Sequence, residues 1–120
     1  MNVCVIGGAG YVGLVTGLCL SEMGHQVINV DVDEGRIQKL QAGESPILEA
    51  GIELLLQRNR QSEQIRFSCD LPSAAAASDI VIISVGTPCL EGGQADLSQM
   101  IQVIEALEPC IDSYKLIVIK

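Results

Sequence analysis

The chain is short of positive charge. Seven lysines and arginines face fifteen aspartates and glutamates, a net charge of −8 at neutral pH. That balance excludes a nucleic-acid groove or an anionic-membrane surface, since both need clustered cations. Any phosphate must be held by backbone N–H groups and a few local cations. Histidine is nearly absent: His25 stands alone and reads as structural, between a helix end and a strand. The five cysteines, at positions 4, 19, 69, 89 and 110, include no C-x-x-C pair. Zinc spacing is therefore missing, no metal is expected, and the thiols read as buried and reduced, as in an intracellular protein. Only Cys89 falls in a loop near the expected ligand edge. The longest apolar runs, Ile80–Val85 and Leu116–Ile119, are far shorter than the ~20 residues of a membrane span. The sequence opens on a strand pattern rather than a secretory leader, so a cytoplasmic domain is expected. Repeats, low-complexity linkers and hairpin signals are also missing.

What is present is a strongly apolar chain of 120 residues, 48% hydrophobic with mean hydropathy +0.38. That is one domain with a real core. Its organising stretch is Val3 to Val15, VCVIGGAGYVGLV, a buried strand running through a glycine turn into a helix. Gly8, Gly10 and Gly13 give the spacing G-x-G-x-x-G. The first allows the tight turn, the second lets a phosphate approach the backbone, and the third lets the helix pack closely on the strand. Free N–H groups at the helix start, at the positive end of its dipole, form an anion site.

The rest alternates between strand and helix. Tyr11–Met23 is so uniformly apolar that a well-buried helix is expected, with Gly24 ending it. Gln26–Asp31 is a strand whose final acid lies eighteen positions after Gly13, the place from which a carboxylate reaches adenosine ribose hydroxyls. Asp33 caps a helix to about Ala42, and Gly43–Pro46 breaks it. Ile52–Arg60 forms an amphipathic helix in which Leu54, Leu55 and Leu56 feed one apolar side. Ile65–Cys69 is a strand, and Asp70 caps a short helix through Ala74–Ala77 with Pro72 in its first turn. Asp79–Val85 is a strand covered on both faces. After the turn-rich loop Gly86–Ala95, Asp96 and Gln99 form a capping box. The helix they open turns Leu97, Met100, Ile101, Ile104 and Leu107 inward and ends near Pro109. Lys115–Lys120 is the fifth strand. Five strands separated by helices imply an α/β fold, a doubly wound parallel sheet of Rossmann-like type in the order 3-2-1-4-5. A ligand then sits outside the carboxyl ends of strands 1 and 4.

The glycine turn and Asp31 together point to a dinucleotide, and Asp31 favours NAD over NADP by repelling a 2′-phosphate. Arg36 complicates that preference, because a nearby arginine can neutralise such a phosphate. Thr87 is placed either to bond a cofactor or simply to make a turn. A methyltransferase using S-adenosylmethionine would share the turn and the acid but not the phosphate-spaced Gly13. No acid, base or nucleophile forms a catalytic set, so catalytic residues are expected to be none in this stretch.

The segments VCVIGGAGYVGLVTGLCL, GHQVINVDVDEGRI, AGESPILEAGIELLLQRN and VIISVGTP with the later ADL resemble the UDP-glucose/GDP-mannose dehydrogenase family over essentially the whole chain. The resemblance implies the N-terminal NAD-binding domain, residues 1–120, of a longer enzyme. It also implies the four-electron oxidation of a nucleotide sugar, most often UDP-glucose to UDP-glucuronate, using two NAD+. The family's thiol nucleophile and its lysine, asparagine and aspartate partners lie downstream and map onto no residue here. Carried over by position, Gly8, Ala9, Gly10, Tyr11, Val12 and Gly13 are the phosphate turn. Asp31 is the ribose acid, Arg36 a basic contact to the adenosine half, and Gly86 and Thr87 a further cofactor contact. Gly7-Gly8-Ala9-Gly10 has one residue more than many members, which the first strand or its turn must absorb.

A different reading is a stand-alone module that senses NAD(H) without catalysis. On either reading the fifth strand is an exposed edge, which leaves room for a homodimer.

Overall fold

The computed structural model describes all 120 residues. Five parallel strands form one sheet: β1 (Asn2–Ile6), β2 (Gln26–Val30), β3 (Ile65–Ser68), β4 (Ile80–Ile83) and β5 (Leu116–Ile119), in the order β3-β2-β1-β4-β5. The expected order and parallel sense are those observed. β1 sits at the centre, pairing Val5 with Asn29 of β2 on one side and with Ile82 of β4 on the other.

Side chains alternate across a strand, and the two faces bury different helices. One face packs Val3, Val5, Val27, Ile65 and Phe67 against α1 (Tyr11–Glu22), α2 (Glu34–Ala42) and α3 (Ile52–Gln61), through Leu14, Leu18, Ile37, Leu40 and Leu56. The other face packs Cys4, Ile6, Val30, Val81 and Ile83 against α4 (Leu71–Ala76) and α5 (Ser98–Leu107). Burial pushes the Cys4 thiol up to about 12, as expected where a thiolate would lack water.

Three helices depart from expectation in which side they bury. α1 is not buried all round: Gly13, Leu14, Gly17, Leu18 and Ser21 face the sheet, while Val12 and Cys19 are exposed. In α3, Leu56 is buried but Leu54 is exposed. Leu97 just before α5, and Ile101 and Ile104 within it, are exposed, and Met100, Val103 and Leu107 make the inner face. The capping box does not form either. Asp96 Oδ1 accepts from the Ser98 N–H at 2.9 Å, and no side chain caps the helix from Leu97. The loop before it carries a small antiparallel bridge between Cys89 and Ala95, although the sequence gives no hairpin signal. Only Cys4 of the five free thiols is buried; Cys19, Cys69 and Cys89 are exposed.

The two sheet edges differ. At β3, the Gln41 side-chain amide donates to the Phe67 carbonyl at 2.9 Å, and Arg66 is exposed beside it. At β5, Leu116, Ile117 and Ile119 are exposed.

The caps of α2 and α4 are as expected: Asp33 accepts from Arg36 N–H, and Asp70 accepts from Ser73 N–H at 3.1 Å and Ser73 Oγ–H at 2.6 Å. The Ser73 bonds hold the Asp70 carboxyl below the usual carboxylate range. A carboxyl depressed by folding contributes stability that is present above its unfolded value and is lost as pH falls through its folded value. Asp70→Ala should therefore melt below the parent protein at neutral pH, and the gap should close in acid. Thermal melts across pH check this; parallel curves at every pH would remove the cap from the stability of α4.

Candidate functional site

The carboxyl ends of β1, β2 and β4 meet at the point where the winding reverses, and a cleft of about 280 Å³ opens there. Its floor is Ile6 and Val30. Gly7 and Gly10 of the turn, Asp31 and Arg36 after β2, and Ser84 to Gly86 after β4 form its rim. Cys69 and Leu71 close one side; Gln99 and Val103 of α5 close another. A larger depression of about 630 Å³ lies over the 43–51 loop and α3. Its charged lining is Glu49 and Glu53, the latter in the first turn of α3, which suits no anion.

The turn is built by glycines, with the left-handed bend at Gly7 rather than at Gly8. Gly7 takes the left-handed conformation at φ +76° and closes the turn through Gly10 N–H to its carbonyl at 3.2 Å. A Cβ at Gly7 would come within 2.7 Å of the Ser84 carbonyl oxygen. Gly8 has no Cβ because one would lie 2.6 Å from Asn29 Cβ on the next strand. At Gly13 a Cβ would overlap the Gly7 carbonyl, so α1 packs onto the turn itself. Gly10 alone leaves open space toward the cleft: its nearest neighbour, the Gly7 oxygen, is 3.5 Å from where a Cβ would stand.

The first α1 hydrogen bond runs from Leu14 N–H to Gly10 carbonyl. The N–H groups of Tyr11, Val12 and Gly13 precede it and have no partner within the helix. No side chain caps them, and no acid stands in the first turn. This helix start is open to an anion.

Asp31 is already engaged on both oxygens. Oδ2 accepts from Ala9 N–H at 3.1 Å and Oδ1 from Asp33 N–H at 3.0 Å. A carboxylate offers about four lone-pair sites, so two remain for a ligand's hydroxyls. Arg36 reaches the cleft but leans on Asp33, with Nε 3.5 Å from its Oδ2. Of the remaining expected contacts, Gly86 lines the cleft and Thr87 is exposed just beyond it. Ala9, Gly8 and Gly13 are buried, and Tyr11 and Val12 stand exposed at the helix start.

Cys69 replaces Cys89 as the thiol at the ligand edge. Cys89 sits in the bridged loop, while Cys69 lines the cleft beside Asp31. Partial desolvation, then the carboxylates of Glu34, Asp31 and Asp33, push its thiol up, away from the thiolate a nucleophile needs. Sequence reasoning also passed over Ser84, whose Oγ–H donates to the Ile6 carbonyl at 2.7 Å and ties β4 to β1. It passed over Gln99 and Val103 as well, because the inward side of α5 was misread. No group of three His, Cys, Asp or Glu side chains could hold a metal, and no helix is long and apolar enough to cross a membrane.

The sequence model for the NAD-binding domain of the UDP-glucose/GDP-mannose dehydrogenase family matches residues 1–120. The chain belongs to that family. As its NAD-binding domain, it takes NAD as cofactor. It is 44% identical over 114 residues to the UDP-glucose 6-dehydrogenase of Rhizobium meliloti, covering 94% of this chain and 26% of that one. It is 46% identical over 90 residues to the GDP-mannose 6-dehydrogenase of Pseudomonas aeruginosa, covering 75% and 21%. A solved UDP-glucose dehydrogenase from Pyrobaculum islandicum superposes with a TM-score of 0.92 at 34% identity, over 98% of this chain and 28% of that chain. The chain thus spans about a quarter of the length of the curated relatives it matches.

Proposed function

We propose that this chain supplies the NAD site of a nucleotide-sugar 6-dehydrogenase, one that oxidises UDP-glucose to UDP-glucuronate with two NAD+. The observation that carries the NAD site is the convergence of an uncapped helix start and a pre-oriented carboxylate on one cleft. The N–H groups of Tyr11, Val12 and Gly13 take the pyrophosphate, Gly10 lets it approach, and Asp31 takes the ribose hydroxyls. Gly86 and Thr87 bound the other side. Gly8 and Ala9 act from beneath, as the frame of the turn.

The cleft suits the adenosine half of the dinucleotide in size and polarity. Asp31, Asp33 and Glu34 crowd the ribose end with negative charge, and Asp33 occupies Arg36. A 2′-phosphate there would meet three carboxylates and a shared cation. NAD+ is therefore favoured over NADP+. UDP-glucose as the sugar nucleotide is supported by the 44% identity to a UDP-glucose 6-dehydrogenase over 94% of the chain. Catalytic residues belong to the remainder of the enzyme.

Calorimetric titration of this chain with NAD+ and NADP+ tests the cofactor site. NAD+ binding with NADP+ weaker by about tenfold or more is expected; equal affinities would remove the carboxylates from cofactor choice. Turnover of UDP-glucose against GDP-mannose by the complete gene product tests the substrate, and preference for GDP-mannose would overturn it.

A further inference from the structure

We propose that Asn29 is the positioning residue of the phosphate turn: its buried amide ties the Gly8 and Gly13 carbonyls together and so aims the α1 N–H groups at the pyrophosphate. The proposal rests on the NAD reading of the cleft.

Asn29 lies in mid-β2, fully buried, on the face that carries α1. Both protons of its Nδ2 are spent on the turn, one on the Gly8 carbonyl at 2.8 Å and one on the Gly13 carbonyl at 3.3 Å. Those carbonyls stand at the two ends of the G-x-G-x-x-G segment. One planar amide therefore spans the whole turn, and the turn cannot open without breaking a buried hydrogen bond.

The amide is used from one side only. Asn29 Oδ1 is buried and has no partner. A side chain needed only to fill space would be aliphatic, with no oxygen left stranded in the core. An amide kept despite that oxygen is kept for its donors.

Its room is cut from neighbouring backbone. A Cβ at Gly8 would stand 2.6 Å from Asn29 Cβ, and one at Gly17 would overlap the amide itself. Gly17 lies inside α1 and makes no turn, so the glycine motif gives no reason for it. Asn29 does.

The test is calorimetry with NAD+ on the parent chain, Asn29→Leu, Asn29→Asp and a core control on the far strand, Ile65→Val. Beside it runs amide hydrogen exchange at Gly10, whose N–H closes the turn on the Gly7 carbonyl, and at Leu14, whose N–H makes the first α1 bond to the Gly10 carbonyl. Asn29→Leu, still folded, should weaken NAD+ by about tenfold or more and speed exchange at both amides. Ile65→Val should change neither. In Asn29→Asp, burial raises the carboxyl pKa. Protonated, the side chain keeps one donor; ionised, it sets negative oxygen against two carbonyls. Its affinity relative to the parent at the same pH should therefore fall from acid to alkaline solution.

Parent-like affinity and exchange in folded Asn29→Leu would overturn the proposal. So would an Asn29→Asp protein that tracks the parent at every pH, and that series decides if Asn29→Leu fails to fold. A parent chain that binds no NAD+ would sink the cofactor reading instead, while exchange at Gly10 and Leu14 would still show whether Asn29 holds the turn.

Discussion

Gly13→Ala is expected to abolish NAD+ binding and to cost about 1–3 kcal/mol of stability. The added methyl would overlap the Gly7 carbonyl oxygen and stand 2.7 Å from both the Gly7 carbonyl carbon and Ser84 Oγ. Two of these atoms are backbone, fixed by the left-handed turn at Gly7 and its bond to Gly10. Ser84 can rotate, but only by giving up its bond to Ile6. The strain is relieved when α1 slides off the turn, and that slide carries the N–H groups of Tyr11 and Val12 away from the cleft. Gly24→Ala is the contrast. Gly24 also has a positive φ, at +92°, but nothing lies within 4 Å of its missing Cβ. It should cost about 1–2 kcal/mol of backbone strain and leave binding alone. Urea unfolding and calorimetry on both variants separate the effects; a folded Gly13→Ala protein with parent-like affinity would exclude the α1 start from the site.

Asp31→Ala should weaken NAD+ by about 1.5–3 kcal/mol, roughly ten- to a hundredfold. The carboxylate is pinned by Ala9 N–H and Asp33 N–H before any ligand arrives, so little ordering cost falls due on binding. Its removal deletes the ribose acceptor and also frees Ala9 within the turn. Asp31→Asn separates these roles: it keeps an acceptor of the same shape and loses only the charge. An intermediate affinity for Asp31→Asn is expected by titration. If both variants bind as the parent does, Asp31 belongs to the turn and not to the cofactor.

Strand order was legible because β1, β2 and β4 are short, largely apolar runs bounded by a glycine or a helix cap, and helices between strands force parallel crossovers. The caps at Asp33 and Asp70 were legible for a local reason, since an N-cap bonds within three residues of itself. The facing of α5 was not. Leu97, Ile101 and Ile104 form one helical stripe, and Met100, Val103 and Leu107 form the next. Both have the spacing of an inner face, and only packing on β4 and α4 selects the second. Gly7 and Asn29 escaped for a related reason. What each does depends on a partner far away in sequence: the Ser84 carbonyl for Gly7, and Gly8, Gly13 and Gly17 for Asn29. Asp31, by contrast, was found because its motif fixes the distance to the glycine turn.

The unequal sheet edges give the fold a direction of growth. At β3 the outward Phe67 carbonyl is already spent on Gln41, and the charged Arg66 stands guard beside it, two devices that discourage another strand. At β5 no side chain covers the backbone in this way, and Leu116, Ile117 and Ile119 offer apolar surface to a neighbour. A sixth strand, from whatever source, would therefore dock beside β5 and extend the half of the sheet that begins with β4. The adenosine end of the cleft, framed by β1 and β2, would keep its present boundary however large the surrounding assembly became.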